Sequence, residues 1–235
     1  DLVAWHARYY HQGNAVLLVA GDVDEERMAE FLGQQALPEK GERPRPQRVE
    51  HRQRVWLKGV DFPTPELFLG FRLSRECNGP ALRALEQLLA NEPLSILYRR
   101  LRTEEPLAYM VDSEVKFLSD AGRLGIYVGL AEPGVAPRVW ETLLELFGDL
   151  QAGKVPEDTR AWAEKAARFA AVQERCDPER ALAALRRKAL AGGEAELSWE
   201  GLPELSQNIF RRENAYLAVY GTTPGWDPER ALAEI

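Results

Sequence analysis

Cysteine is almost absent. Cys77 and Cys176 are the only two thiols in 235 residues. They are too few and too far apart for a disulfide framework or a thiolate metal centre, so both read as reduced thiols outside the chemistry. Long apolar runs are missing as well: no stretch approaches the ~20 apolar residues of a helical membrane span. Nor is Asp1-Leu2-Val3-Ala4-Trp5-His6 the basic opening of a signal peptide. Positive charge is in deficit, with 30 Lys and Arg against 37 Asp and Glu and a formal net charge of -7. That balance works against phosphate contacts and so against nucleic-acid binding. The hydrophobic content of 45% is ordinary for a globular chain that buries a core. The length allows one large domain or two small ones. Compartment stays open.

Self-sufficient catalytic machinery is missing too. Histidine occurs at His6, His11 and His51 only. A helical zinc pair needs two His at i and i+4 with a Glu between them. His6 and His11 are five apart, which turns them roughly 140° out of alignment on a helix, and no carboxylate lies between them. His51 sits in a charged connector. An independent metalloenzyme would need these histidines to converge with carboxylates from elsewhere. No Gly-x-Ser-x-Gly turn presents a nucleophile, and Ala191-Gly192-Gly193-Glu194 lacks the Lys-Ser/Thr of a phosphate loop, so Gly192-Gly193 reads as a helix stop.

What is present is a repeat. Asn14-Ala15-Val16-Leu17-Leu18-Val19-Ala20-Gly21 returns as Asn214-Ala215-Tyr216-Leu217-Ala218-Val219-Tyr220-Gly221, identical at five of eight positions. Each copy alternates like a strand, ends in Gly, and is followed by an acidic helix start at Asp24 or Asp227. The expectation is a unit of about two hundred residues, its closing segment seen at both ends of the chain, with the front of the first copy upstream of Asp1. Residues 1–37 then comprise a helical lead-in, a strand at 14–20 and a helix from Asp24 to about Gln35. Residues 38–52, rich in Pro and charge, form a linker.

Beyond the linker, Arg54-Val55-Trp56-Leu57 and Glu66–Leu73 read as strands. Helices are expected over 80–90 and from Leu94 to about Arg102, with an exit forced by Pro106. Strands 107–117 and 123–130 are joined by a turn at Ser119-Asp120-Ala121-Gly122. Helices near 136–150, 156–175, 178–191 and 202–211 precede a last strand at 214–220. The sum is an α+β unit, a largely antiparallel sheet with helices packed on one face.

One local pattern carries more: Ser95-Ile96-Leu97-Tyr98-Arg99-Arg100-Leu101-Arg102-Thr103-Glu104-Glu105-Pro106-Leu107-Ala108-Tyr109. It resembles the Ser-x-Leu-Tyr-x-x-Leu-Arg-Glu-x-x-Gly-Leu-Ala-Tyr signature in the second half of the pitrilysin/insulinase family of zinc peptidases, which includes mitochondrial processing peptidase. Ser95, Leu97, Tyr98, Leu101, Arg102, Leu107, Ala108 and Tyr109 match. Pro106 stands where the pattern has its turn glycine, and Asn91-Glu92-Pro93 replaces its Gly-rich lead. The resemblance extends along the chain, through Tyr9-Tyr10, Asn14-Ala15, Gly21-Asp22-Val23 and Val155-Pro156-Glu157.

The resemblance implies one half-module of a two-half peptidase. The facing half would carry His-x-x-Glu-His and the zinc, so this fragment binds none, and helix 80–90 has no His beside Glu86. Alone the chain is expected to be inactive. Its partner would be a zinc-bearing half in the same chain or in another subunit, as a homo- or heterodimer, and its substrate an extended peptide. The residues that transfer are Arg102 and Tyr109, implied to position substrate and stabilise the oxyanion. Two alternatives stay open. Arg102 could be salt-bridged to Glu104 or Glu105 with Tyr109 packed beside the sheet, and the whole unit could be a structural or peptide-binding subunit, like the family's non-catalytic subunits of a respiratory complex.

Overall fold

Buried apolar residues recur at every second position along the central strands, and that period sets the architecture of the computed structural model. The structure describes residues 1–34, 54–59, 64–77, 79–89, 92–117, 122–191 and 197–235. Five strands, β1 (Val55–Lys58), β2 (Glu66–Leu73), β3 (Ala108–Phe117), β4 (Gly122–Leu130) and β5 (Ala215–Tyr220), form one sheet in the order β1-β5-β2-β4-β3. Every neighbouring pair is antiparallel except β1 and β5, which run parallel. The α+β reading and the largely antiparallel sheet therefore hold.

With side chains pointing to opposite faces at a period of two, Leu67, Leu69, Phe71 and Leu73 of β2, Leu124, Ile126, Val128 and Leu130 of β4, and Leu217 and Val219 of β5 all enter one buried cluster. Helices α3 (Pro80–Leu89), α5 (Ala136–Gln151) and α8 (Leu202–Ile209) close that side, contributing Leu85, Leu88, Leu143 and Phe147, among others. Phe71 meets Phe147 and Phe210 edge-on, at 5.5 and 5.1 Å between ring centroids, and those two stack at 4.2 Å. The opposite face of the sheet carries rings instead. Tyr216 lies across Gly70, where a Cβ would come within 2.1 Å of the ring. Glycine inside a strand often marks such a close approach. Helices α6 (Glu157–Cys176) and α7 (Pro178–Ala191) pack on each other at the periphery, held to the body in part by Trp199 donating to Glu164 at 2.8 Å.

The repeat survives as local geometry but not as a strand. Asp24 caps α2 (Glu25–Gly33) by accepting from the amides of Glu26 and Arg27, and Asp227 caps α9 (Pro228–Leu232) by accepting from those of Glu229 and Arg230. Gly21 and Gly221 both take positive φ, and the Asn14 and Asn214 side-chain amides both donate to backbone carbonyls a few residues upstream. Residues 15–20, however, are not the expected strand. After α1 (Leu2–Tyr9) and a 3-10 turn at Gln12–Asn14 they run without a sheet partner among the described residues. Val16 and Leu17 are 61% and 58% exposed, whereas their counterparts in β5 sit between β1 and β2. A strand exists only where neighbouring backbone satisfies its amides and carbonyls.

A second expectation also changes. The helix from Leu94 to Arg102 is a short α4 (Ile96–Tyr98) that widens into a π-helical turn at Arg99–Glu104. Pro106 has no N–H to close the turn, so the Leu107 amide reaches back to the Leu101 carbonyl at 3.1 Å. The linker 38–52, the end of the Asp24 helix at Gln35 and the turn positions Ser119 to Ala121 lie outside the described residues.

Replacing Phe71 with Ala removes the ring on which Phe147 and Phe210 converge. It should cost about 3–5 kcal/mol of unfolding free energy, read as a lower urea midpoint.

Candidate functional site

Most of the Ser95–Tyr109 motif serves the fold. Ser95 is buried and caps α4 by accepting from the Tyr98 amide at 3.3 Å; Leu97, Leu101, Leu107 and Ala108 enter the core. Of the residues that match the signature, Arg102 and Tyr109 are exposed and Tyr98 is half-buried; Thr103, Glu104 and Pro106 between them are exposed as well.

The π-helical turn carries three arginines, and two are tied to the scaffold. Arg99 donates to Asp158 at 3.0 Å and to Thr159 at 3.2 Å, both on α6, and lies 3.6 Å from Glu104. Arg100 donates to Asp149 of α5 at 2.5 Å. Arg102 pairs with no carboxylate among the described residues; its guanidinium lies over the Tyr98 ring, 5.0 Å from the centroid. The salt bridge to Glu104 or Glu105 that the sequence left open is therefore not formed. Glu105 is taken instead by Arg138 of α5, in a two-pronged contact through Nε (2.8 Å) and Nη2, while Nη1 reaches Glu141 and Glu145. Widened turns of this kind recur at functional positions, and this one is pinned on both sides of Arg102.

Tyr109 is the extra residue of a β-bulge, since Ala108 pairs with Leu130 and Met110 with Gly129. The bulge re-aims its side chain onto the open face of the sheet. There the ring lies flat on Gly129, where a Cβ would come within 2.4 Å of it, and the hydroxyl donates to Glu66 at 3.3 Å. It is 43% exposed. Tyr109 thus packs on the sheet and still presents its hydroxyl to solvent. No hydrogen bond or ring contact joins Arg102 to Tyr109 among the described residues: one projects from the helical turn over Tyr98, the other from the strand start onto Gly129.

Glu66, Gly129 and Arg138 were not legible as site residues. Glycines inside otherwise continuous strands, at 70, 125 and 129, were the one signal available, because a strand glycine marks close approach by another group. Nothing in the sequence pairs Glu105 with Arg138.

Among the described residues no group of three or more His, Cys, Asp or Glu side chains is placed to hold a metal ion, so those residues do not fit zinc. His6 stacks on Tyr10 at 4.5 Å, His11 is buried, Glu86 pairs with Arg83, and His51 is outside the described residues. Cys77 and Cys176 are free thiols. No described helix is long and apolar enough to cross a membrane.

The bond from Arg138 holds the Glu105 carboxyl below the usual carboxylate range. A depressed carboxylate stabilises the fold above its unfolded pKa, ~4.3 for Glu, and that contribution disappears as pH falls through the lowered value. Arg138→Ala should therefore lower the melting temperature by a constant amount near neutral pH. The gap to the parent protein should close below about pH 4, as thermal melts across pH 2.5–7 would read.

A family model described as the peptidase M16 inactive domain matches residues 1–161. Comparison with curated protein sequences returns no match. Among solved structures, a protease from Helicobacter pylori is similar at a TM-score of 0.79 and 18% identity, covering 92% of this chain and 57% of that one. A peptidase M16 inactive domain from Pseudomonas fluorescens is similar at 0.73 and 18% identity, covering 97% and 58%. A chain of complex III2 from Candida albicans is similar at 0.69 and 14%, covering 91% and 57%. The chain spans less than two thirds of the length of each. At these identities the structural likeness speaks to the fold alone, while the family model covers more than half of the residues. The chain belongs to the peptidase M16 inactive-domain family, the non-metal C-terminal-type domain related to pitrilysin-like peptidases.

Proposed function

We propose that this chain is the zinc-free half of a pitrilysin-like peptidase and assists peptide hydrolysis opposite a zinc-bearing half, in the same chain or in a partner subunit. In this reading residues 1–37 close the preceding half-module, 38–52 are the linker and 53–235 are the non-metal half. The observation that carries it is the treatment of the three arginines: Arg99 and Arg100 are tied to α6 and α5, and Arg102 meets no carboxylate among the described residues. An anchored turn with one uncommitted guanidinium suits a ligand rich in carbonyls, which Arg binds with several donors at once.

The metal chemistry belongs to the facing half; this chain supplies positioning and hydrogen-bond donors. Arg102 grips main-chain carbonyls of an extended peptide. Tyr109 directs its hydroxyl at the scissile carbonyl oxygen, where negative charge grows as the carbon becomes tetrahedral, and a fixed donor there lowers the barrier. Its present bond to Glu66, at 3.3 Å, is long for a hydroxyl donor, so exchanging it for a substrate oxygen costs little.

Likeness to a chain of complex III2 supports a second reading, a structural or peptide-binding subunit of the same fold. The two separate in a reconstituted peptidase containing the zinc-bearing half. Tyr109→Phe should lower kcat by about 10²–10³-fold with KM little changed, and Arg102→Ala should act mainly on kcat/KM. Unchanged rates in both variants would remove these two residues from the reaction, and no gain on adding this chain would favour the structural subunit.

A further inference from the structure

The open face of the sheet holds a cavity that the roles of Arg102 and Tyr109 leave unused. Along β5 the residues facing this side are Tyr216, Ala218 and Tyr220, and Ala218 is flanked across the strands by Trp56 on β1 and Phe68 on β2. One small residue in a field of rings leaves a depression. Ala218 is its floor, Trp56, Phe68, Met110, Tyr127 and Tyr220 form its walls, and its volume is about 270 Å³. The rings are braced: Phe68 contacts Tyr127 at 4.6 Å and Tyr216 at 5.6 Å, and Tyr216 meets Trp56 edge-on at 6.1 Å. The depression is therefore preformed.

Its size and rim restrict what enters. At about 270 Å³ and lined mostly by apolar and aromatic side chains, it accommodates one large apolar side chain. The rim carries Lys58 and Glu66, in register on either side of Tyr220. One cation and one anion, two strand spacings or roughly 10 Å apart, complement a neutral main chain that offers both carbonyls and amides. Polyanions and polyamines each meet one repelling charge. Glu66 also accepts from Tyr109, which ties the cavity rim to the proposed reaction region.

We infer that this cavity is a specificity pocket for a single large apolar side chain, aromatic or branched aliphatic, of an extended peptide whose backbone passes between Lys58 and Glu66. The inference rests on the peptide-binding reading above.

The test is calorimetric titration of the full chain with two blocked pentapeptides, acetyl-Ala-Ala-Phe-Ala-Ala-amide and acetyl-pentaalanine-amide. The Phe peptide should bind at least about tenfold tighter, the fold-change expected from burying one aromatic side chain. Ala218→Leu, which fills the floor from the solvent side, and Trp56→Ala, which removes a wall, should each bring the two affinities together. Equal affinities for the parent chain would overturn the pocket while leaving peptide binding intact. Binding of neither peptide would overturn the peptide reading and the pocket with it. Self-association of the chain that either substitution abolishes and that blocks the Phe peptide would make the occupant a second copy and overturn the inference too.

Discussion

The whole arrangement depends on a sheet buried on one face only. A strand sends alternate side chains to opposite sides, so once Leu67, Leu69, Phe71 and Leu73 are committed to the helices, Glu66, Phe68, Gly70 and Arg72 must face the other way. Among the described residues no helix supplies apolar cover for that second set, and the rings lie down on the sheet instead, Tyr216 over Gly70, Phe68 over Gly125 and Tyr109 over Gly129. Each glycine removes the Cβ that would hold a ring upright. The result is an aromatic surface that includes a shallow cavity, and the candidate tyrosine belongs to the same surface.

The other half of the candidate site is made by charge. Arg99, Arg100 and Glu105 fix the turn around Arg102 through contacts to α6 and α5. Exposed ion pairs contribute little to stability one at a time, but their effect here is local: they restrict where a single loop can go. A turn held by three contacts gives Arg102 a defined origin while, among the described residues, its guanidinium keeps a ring contact with Tyr98 and no ion pair. Burial of the rings has a chemical trace as well, since it pushes the Tyr216 phenol up.

Much of the fold was legible. Glu66–Leu73 was read as a strand at the boundaries it has, and α5, α6 and α7 fall within a residue or two of their expected limits, because those segments are long and strongly periodic. The segment 14–20 misled for the opposite reason: its pattern equals that of β5, yet a pattern supplies no hydrogen-bonding neighbour. The turn at Arg99–Glu104 was read as ordinary helix because the effect of Pro106 travels through the Leu107 amide to Leu101, a bond that propensity does not encode. Arg102 and Tyr109 stood out through a motif whose other members turn out to cap or fill the core. Glu66 and Arg138 had no such signal, since they meet Tyr109 and Glu105 from 43 and 33 positions away.

By itself the sequence determined the order of the sheet strands and long helices, the apolar face of the central strands and the two aspartate caps, all of which follow from residue type and local spacing. Only the tertiary structure decided which arginine of the turn stays uncommitted, that Tyr109 lies on Gly129 beside Glu66, and that Ala218 leaves a cavity among the rings. Those outcomes depend on which strands become neighbours, and strand neighbours are chosen by burying the whole core at once rather than by any segment alone.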